Sequence, residues 1–429
     1  MGDSDIKTWA KEAFARFKGI WQFDDFWTRG NTFNAALRFV MAAKAKWPSD
    51  PDVEQMEASL KEMVSINKTW LEAKVVGAWW ADDFGWWGVA CLTAREYLLS
   101  IGDAQSAENY LELAQQCWTE MQAHGYDCSD FAQPVPHGCE NSSTTIEGGT
   151  KNTVTNANLF LLSVRLYCAA ASTQNNQLAA ACLSVAYSQY LWFSRWFESQ
   201  YDYLRVIPSF SAGLVQERPI ASPSYERKDH PTWESGWIWT GDQGLLLAAL
   251  IEIFEIRDAL YMWISTQHVA NFDRTVFEKD VTGYVKLIVT GIKSLLFGST
   301  FSPTDSVVRE APFNSSFISD PKDYVCGRGV LMRYLSETSA NPFVKGQFNK
   351  RIATTAAAAW ASCDTANNQF GARWNPGNDL AFNKQFAASW GNGDIEVTWD
   401  FPPQPDPPCN AILQATGLDV LGAAIPILG

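Results

Sequence analysis

Two adjacent carboxylates, Asp82 and Asp83, lie between two tryptophan pairs in the stretch Trp79–Trp87. An apolar run with helical spacing follows them. Aspartate is favoured at a helix start, where its carboxylate accepts backbone N–H bonds and meets the positive end of the helix dipole. A sugar site also needs carboxylates beside flat apolar faces. The pattern therefore predicts either a catalytic pair on a floor of indole rings or a helix cap in front of an aromatic core.

The composition is that of a globular protein, with 47% hydrophobic and 19% charged residues, and it is rich in aromatics: 20 Trp, 25 Phe and 13 Tyr. So many rings indicate an aromatic-lined cleft, an aromatic core, or both. The net charge of −14 opposes binding to nucleic acid or to an anionic membrane. No uninterrupted apolar run reaches the roughly eighteen residues of a membrane span.

Nine cysteines occur without a C-x-x-C spacing, and four histidines are widely dispersed, so no metal site and no cofactor are expected. Four cysteines in apolar helical patterns are predicted to be buried free thiols: Cys91, Cys168, Cys182 and Cys363. Cys128 and Cys139 flank a loop and could pair in a secreted protein.

The polar, acidic start of the chain is not a signal peptide. Three N-x-S/T sequons, at Asn67, Asn141 and Asn314, would permit glycosylation. We expect an extracellular or cell-wall protein in its mature form, with a cytoplasmic protein as the alternative, and we expect a monomer.

Apolar residues recur at helical spacing along most of the chain, which predicts about a dozen helices and almost no strands. The predicted helices cover about 5–18, 33–40, 52–73, 82–101, 103–123, 153–173, 176–199, 241–257, 258–269, 282–296, 323–338, 342–364 and 409–424. Loops of unequal length, including 124–152, 202–235 and 365–408, argue against a regular helical repeat array. An all-α (α/α)6 barrel, with its long loops on one face and residues 1–429 in a single domain, fits better.

Four motifs in order resemble glycoside hydrolase family 76, the endo-α-1,6-mannanases and their fungal cell-wall relatives. They are Trp79–Trp87, with Asp-Asp between Trp pairs; Lys151–Phe160, with Lys-Asn and Thr-Asn; Trp239–Gly244; and Arg328–Leu335. The sequence departs from the family pattern where Asp242 replaces the usual Asn, where Arg328 replaces Lys, and where Asn158 lengthens the second motif. The resemblance implies an (α/α)6 barrel and activity on α-linked mannose.

The resemblance also implies roles for the carboxylate pair: Asp82 as nucleophile and Asp83 as general acid/base. Retaining hydrolysis needs carboxyl groups about 5–5.5 Å apart, which neighbouring residues at a helix start can reach. Two carboxylates so close cannot both ionise freely, so one of them holds a proton for the leaving oxygen.

The expected partner is an oligo- or polysaccharide of α-mannan type. Successive helix residues diverge by about 100°, so at most one tryptophan of each pair is expected to face it. Side chains predicted to bind the sugar are Trp79, Trp80, Trp86, Trp87, Asn156, Trp237, Trp239, Asp242, Gln243 and Arg328. For Asn156 and Asp242 the alternative is a structural helix cap.

Several functions remain open at this point. The covalent intermediate of a retaining hydrolase could also be passed to a sugar acceptor, and the scaffold could bind glycans without cleaving them. A magnesium-dependent terpene cyclase would need further carboxylates one turn from Asp82, where Trp86 stands. A helical-barrel epimerase would need histidines in the cleft.

Overall fold

The computed structural model describes residues 3–126, 138–141, 143, 151–198, 204–207, 212–217, 238–267, 272–297, 306–311, 325–374 and 407–428. Six of the helices in these ranges form an inner ring: α2 (Phe26–Lys46), α4 (Ala81–Ser100), α6 (Thr153–Ser172), α8 (Thr240–Glu255), α11 (Gly327–Glu337) and α13 (Pro407–Ala424). The others pack outside: α1 (Asp3–Lys18), α3 (Pro51–Lys74), α5 (Ala104–Gly125), α7 (Asn176–Trp196), α9 (Arg257–Thr266), α10 (Arg274–Gly291) and α12 (Asn349–Ala361).

The inner ring is closed. Each inner helix packs against the next in chain order, and α13 packs back against α2. Outer helices cover them: α3 lies on α2, α5 on α4, α7 on α6, and α10 on α8, while α1 and α12 both lie on α13. The predicted all-α (α/α)6 barrel is confirmed.

The burial pattern explains which helices lie inside. In α8 every residue from Thr240 to Ile251 is buried, as expected of a helix surrounded on all sides. In α3 the buried residues recur every three or four positions and form one apolar stripe: Val53, Met56, Ser59, Leu60, Met63, Val64, Asn67 and Leu71. The helix α6 is long and apolar enough to cross a membrane, but most of it is buried in the inner ring.

The inner helices run in the same direction. Near their amino ends, Trp86 of α4 contacts Trp27 of α2 and Trp239 before α8. Near their carboxyl ends, Arg165 of α6 binds Glu252 of α8 and Glu337 of α11. All the amino ends therefore meet at one face, where helix dipoles and unpaired N–H groups favour negative charge.

Two glycines allow α4 and α6 to approach closely. A Cβ at Gly85 would lie 2.7 Å from Asn158 Cβ, and one at Gly88 would lie 2.5 Å from Leu162 Cδ2. The spacing of three residues puts both glycines on the face of α4 that meets α6. This contact fixes the position of the Asp82–Asp83 turn relative to the start of α6.

Some predicted helix starts are wrong. The helix α2 begins at Phe26, because Asp25 caps it by accepting a hydrogen bond from Thr28 N at 3.2 Å. Gly30 therefore lies inside the helix, against the ring of Trp87. Similarly, α10 begins at Arg274 behind the cap Asp273, and α12 begins only at Asn349.

The predicted loop 202–235 contains a β-hairpin, whose strands β1 (Leu204–Ile207) and β2 (Ala212–Val215) pair antiparallel. The strand β2 packs against α10, and a Cβ at Gly291 would lie 1.9 Å from Gly213 O. The hairpin thus packs against α10 and α8 and adds no helix to the ring.

Three of the four predicted buried thiols are buried, but Cys168 is exposed near the carboxyl end of α6. Cys139 is a buried free thiol, and Cys128, its suggested partner, lies outside the described residues. The sequon at Asn67 is buried, and its Oδ1 accepts a hydrogen bond from Arg29 Nε at 2.8 Å.

Candidate active site

The carboxylate pair lies in the first turn of α4. Trp80 precedes the helix in an extended conformation, with φ −72° and ψ 155°. Asp83 Oδ2 accepts a hydrogen bond from Trp80 N at 3.2 Å, so Asp83 caps the helix with its own side chain. Asp83 is 8% exposed and Asp82 is half-buried. The cap interpretation therefore holds for Asp83, while Asp82 has a different set of contacts.

Burial raises the pKa of Asp82 to about 6. The side chain of Asn141 and the N–H groups of the helix start oppose this rise by stabilising the charged form. Asp82 N also donates a hydrogen bond to Asn141 Oδ1, at 3.3 Å. A carboxyl group with this pKa exchanges its proton close to neutral pH, which suits acid/base chemistry at a glycosidic bond.

Trp80 is the exposed aromatic side chain next to this pair. Its ring is 52% exposed, whereas Trp79 is packed away: its ring stacks on Phe26 at 4.6 Å and its Nε1 donates to Lys74 O at 2.9 Å. In the first tryptophan pair, the ring that a pyranose can reach is therefore that of Trp80.

The second tryptophan pair is buried. Trp87 is fully buried and donates from Nε1 to Phe26 O at 2.7 Å, so its predicted sugar contact is wrong and its role is packing. Trp86 is 3% exposed, with its ring tilted against Trp27 and edge-on to Trp239, which is 6% exposed. Trp86 thereby contacts the start of α2, which neighbours α4, and the residue before α8, which lies beyond α6 in the ring. Trp237 lies outside the described residues.

Asn156 supports the site from behind instead of facing a sugar, because it is completely buried. Its Oδ1 accepts from Cys139 N at 2.6 Å, and its Nδ2 donates to Cys139 O at 3.0 Å and to Asn152 O at 2.7 Å. Its amide is thereby satisfied by the backbone. The prediction of a sugar-binding Asn156 is corrected to that of a clamp joining α6 to residues 138–141.

Asp242 is also fully buried, in the first turn of α8, and lies against Glu217. Glu217 binds the start of α6 through both oxygens: Oε1 accepts from Asn152 Nδ2 at 2.9 Å and Oε2 accepts from Val154 N at 3.0 Å. Burial and the neighbouring Glu217 raise the pKa of Asp242 well above its ordinary value. Asp242 therefore belongs to a buried carboxyl pair inside the scaffold, with no direct path to a sugar.

Gln243 anchors the hairpin. Its Nε2 donates to Val215 O at 3.0 Å, and its Oε1 accepts from Val215 N at 2.9 Å. The amide pairs with β2 as another strand would, so its predicted sugar contact is replaced by a structural one.

Arg328 is 2% exposed and is held within the wall of the barrel. Its guanidinium lies 3.9 Å from the centre of the Trp374 ring and donates to Ala372 O. Glu310 Oε1 accepts from Arg328 N at 2.5 Å, at the start of α11. The Arg328 guanidinium therefore stabilises the loops beside α11. The predicted contact of Arg328 with a sugar is replaced by these structural contacts.

Sequence reasoning missed three residues that organise this face: Asn141, Glu217 and Glu310. Asn141 was visible only as a sequon. The two glutamates lie outside the helices, at sequence separations of 63–65 residues for Glu217 and 18 for Glu310 from the helix starts that they bind. No local pattern marks such residues, because their partners are set by the packing of the ring.

A cavity of about 520 Å³ opens at the opposite end of the barrel. Charged side chains line it, among them Arg38, Arg165, Glu252 and Glu337, and they are largely paired with one another. It lies at the carboxyl ends of the inner helices, away from Asp82. Among the described residues no group of three or more His, Cys, Asp or Glu side chains is arranged to hold a metal ion.

No protein-family model matches the chain, and no curated protein sequence matches it. Solved structures do match. An α-1,6-mannanase of glycoside hydrolase family 76 from a Salegentibacter species superimposes with a TM-score of 0.58 at 15% identity, covering 98% of this chain and 99% of the other. A family 76 mannosidase from Bacteroides thetaiotaomicron gives 0.53 at 12% identity, covering 98% and 99%. A Chaetomium thermophilum protein in complex with glucosamine gives 0.55 at 16% identity, covering 98% and 90%.

The similarity extends over essentially the whole of each chain, so it includes the closed ring and not merely a few helices. The chain has the fold of the glycoside hydrolase family 76 α-mannanases.

Proposed function

We propose that the protein is a retaining, endo-acting glycoside hydrolase for α-1,6-linked mannose-type glycans and that Asp82 and Asp83 carry the reaction. The observation on which this rests is Asp82 itself. It is a half-buried carboxyl group with a pKa of about 6, beside a second carboxylate and an exposed tryptophan, at the face where the inner helices begin.

In the proposed first step, a carboxylate oxygen of Asp82 attacks the anomeric carbon while the glycosidic bond breaks. Asp83 gives its proton to the leaving oxygen, and a covalent glycosyl ester of Asp82 forms. In the second step Asp83 takes a proton from water, the water oxygen attacks the anomeric carbon, and Asp82 is released as a carboxylate. Two inversions leave the anomeric configuration unchanged.

A structural relative supports this use of adjacent aspartates. A variant of the Salegentibacter mannanase in which two consecutive aspartates are replaced by asparagine is inactive, and its structure contains α-1,6-mannotriose. It superimposes on this chain with a TM-score of 0.58 at 16% identity.

The two roles within the pair need their own test, because the raised pKa belongs to Asp82 while the family resemblance gives the proton-donor role to Asp83. Neighbouring carboxyl groups titrate as a pair, so the pKa order alone does not assign them. Azide can be added to Asp82→Ala and Asp83→Ala. A nucleophile variant should form the β-glycosyl azide and an acid/base variant the α-glycosyl azide. If Asp82→Ala gave the α-azide and Asp83→Ala the β-azide, Asp83 would be the nucleophile and Asp82 the acid/base.

The function itself is tested by incubating the protein with linear α-1,6-mannan and analysing the products. We expect short oligosaccharides from the wild type and at least a thousand-fold slower release from Asp82→Asn and from Asp83→Asn. The matched control is Asp103→Asn, which changes a cap aspartate at the start of α5. Cleavage that survives in both site variants would reject the assignment. Saturable binding without turnover in the wild type would favour a glycan-binding protein instead.

Transfer to a sugar acceptor is the second candidate, since it shares the covalent intermediate. The glucosamine bound to the Chaetomium protein favours testing it. Adding an amino-sugar acceptor to the mannan reaction should lengthen acceptor molecules if transfer competes with hydrolysis, and should leave them unchanged if water alone attacks.

A further inference from the structure

Asn141 touches Asp82 in two ways. Its Oδ1 accepts the hydrogen bond of Asp82 N at 3.3 Å, and its amide lies against the Asp82 carboxylate and lowers the pKa of that group. One side chain thus contacts both the backbone and the carboxylate of the same residue. Such a pair of contacts limits the rotation of the Asp82 carboxylate and stabilises its charged form.

The backbone that carries Asn141 is fixed to two helices. Glu140 N donates to Gly125 O at 2.8 Å, and Tyr126 forms a β-bridge with Cys139. On the other side Asn156 of α6 binds both the N–H and the carbonyl of Cys139. The backbone just before Asn141 is therefore held by the end of α5 and the start of α6, while its side chain reaches α4 at Asp82.

The packing leaves little room for this segment to shift. Gly138 has φ +83°, and a Cβ there would lie 2.7 Å from the ring of Trp192. At Gly125 a Cβ would lie 2.1 Å from Glu140 O. Glycine is needed at both positions, at the first for its φ and at both for the close approach.

The charged groups around Asp82 in the described residues come from each neighbouring element. Asp83 belongs to the same turn of α4, Glu140 to the segment of Asn141, and Lys151 to the residues before α6; His124, near the end of α5, packs on Phe84. Among the side chains around Asp82, Asn141 is the neutral one that bonds to both its backbone N–H and its carboxylate.

We propose that Asn141 is a positioning residue, which holds the Asp82 carboxylate in one orientation and stabilises its charged form for attack on the anomeric carbon. The chemical step in this inference rests on the proposed function, while the contact itself does not. Removal of the Asn141 amide should raise the pKa of Asp82, because the charged form loses a hydrogen-bond donor.

The test compares Asn141→Ala and Asn141→Asp with the matched control Ser143→Ala. The control removes the same sequon but keeps the Asn141 amide. The carboxyl resonances of 13C-labelled aspartate are followed by NMR against pH, and that of Asp82 is identified as the one missing in Asp82→Asn. We expect its titration midpoint to rise by about one pH unit in Asn141→Ala, by more in Asn141→Asp, and not at all in Ser143→Ala.

The acidic limb of kcat/KM against pH should move upward by the same amount, giving about a ten-fold loss at a pH below both midpoints. Asn141→Gln, which keeps the amide, should recover part of the loss. An unchanged Asp82 midpoint in folded Asn141→Ala would overturn the inference, even if mannan is cleaved. If mannan is not cleaved by the wild type, the NMR titration still decides the role of Asn141, so the two failures are distinguishable.

Discussion

Two aspartates in first turns of inner helices show how burial alone separates a chemical group from a structural one. Asp82 is half-buried and open to the face where the helices begin, and its pKa rises to about 6. Asp242 is fully buried beside Glu217, and its pKa rises well above the ordinary value. Asp82 can therefore exchange a proton with a substrate, whereas Asp242 can exchange one only with neighbouring buried groups such as Glu217.

Asp242→Asn should change how stability depends on pH. Because the folded pKa of Asp242 is above its unfolded value of about 4, folding retains a proton that the unfolded chain releases. The free energy of unfolding of the wild type should therefore fall as pH rises above about 4, by up to about 1.4 kcal/mol per pH unit, until the folded pKa is reached. Denaturant unfolding at pH 5 and pH 8 should show that the free energy of unfolding of Asp242→Asn, relative to that of the wild type, is higher at pH 8 than at pH 5.

The neutral amide also matches the asparagine that family 76 usually carries at this position. Asp258→Asn, at an exposed position of α9, serves as the control and should leave the slope unchanged. Equal pH dependence in the wild type and Asp242→Asn would contradict the buried carboxyl pair.

Trp80 and Trp87 should respond oppositely to truncation. If Trp80 binds the sugar as proposed, Trp80→Ala should keep its stability and raise KM about ten-fold, equivalent to about 1.4 kcal/mol, because its ring is exposed and free to stack on a pyranose. Trp87→Ala should lose about 3–5 kcal/mol of unfolding free energy, because its ring is completely buried. Thermal unfolding and initial rates on mannan measure both. A normal KM in Trp80→Ala would remove it from the site.

At the scale of elements, the Gly85–Gly88 face of α4 sets how near the carboxylates come to α6. Gly88→Ala should destabilise by about 1–3 kcal/mol although alanine is the better helix former, because its Cβ would lie 2.5 Å from Leu162 Cδ2. Adding Leu162→Ala should recover part of the loss, as measured by a double-mutant cycle of denaturant unfolding.

Gly283→Ala in α10 is the matched control for this prediction, because a Cβ there would meet nothing within 4 Å. It should stabilise by about 0.5–1 kcal/mol through helix propensity alone. A neutral or stabilising Gly88→Ala would show that α4 and α6 can move apart without cost.

At the scale of the whole molecule, the carboxyl ends of the inner helices are tied by a shared network of charges. Arg165 binds Glu252 at 2.6 Å and Glu337 at 2.5 Å, and Glu337 also pairs with Arg38 at 2.9 Å. Four helices meet through these side chains, which are mostly shielded from solvent. The arrangement joins α2, α6, α8 and α11 at the end opposite to the candidate site.

Arg165→Leu should therefore cost about 3–5 kcal/mol of unfolding free energy, because it removes the cation that binds the shielded Glu252 and leaves Glu337 with Arg38 alone. The folded fraction should still cleave mannan with an unchanged KM, since the network is remote from Asp82. Denaturant unfolding and steady-state rates on the same preparation check both parts. A changed KM with normal stability would mean that the two ends of the barrel are coupled.

The inner and outer helices were predictable from the sequence because hydrophobic spacing and cap residues such as Asp50 and Asp103 act locally. The position of Asp82–Asp83 at a helix start followed from the same signals. The residues that surround the pair could not be predicted from these local signals. Asn156, Gln243 and Arg328 have the residue types of a sugar site, yet each is used by backbone or loop partners that only the closed ring brings near. The sequence marked Asn141 only as a possible glycosylation site.

The closure of the inner ring has a consequence for how the chain is made. Its last inner helix, α13, joins α2, and Gln414 donates to Ala13 O across 401 residues of sequence. Until α13 has left the ribosome, the apolar faces of α2 and α11 lack their common neighbour. The nascent chain must therefore carry an open seam from the synthesis of α2 until that of α13, and the apolar surface of that seam is exposed to aggregation during this interval.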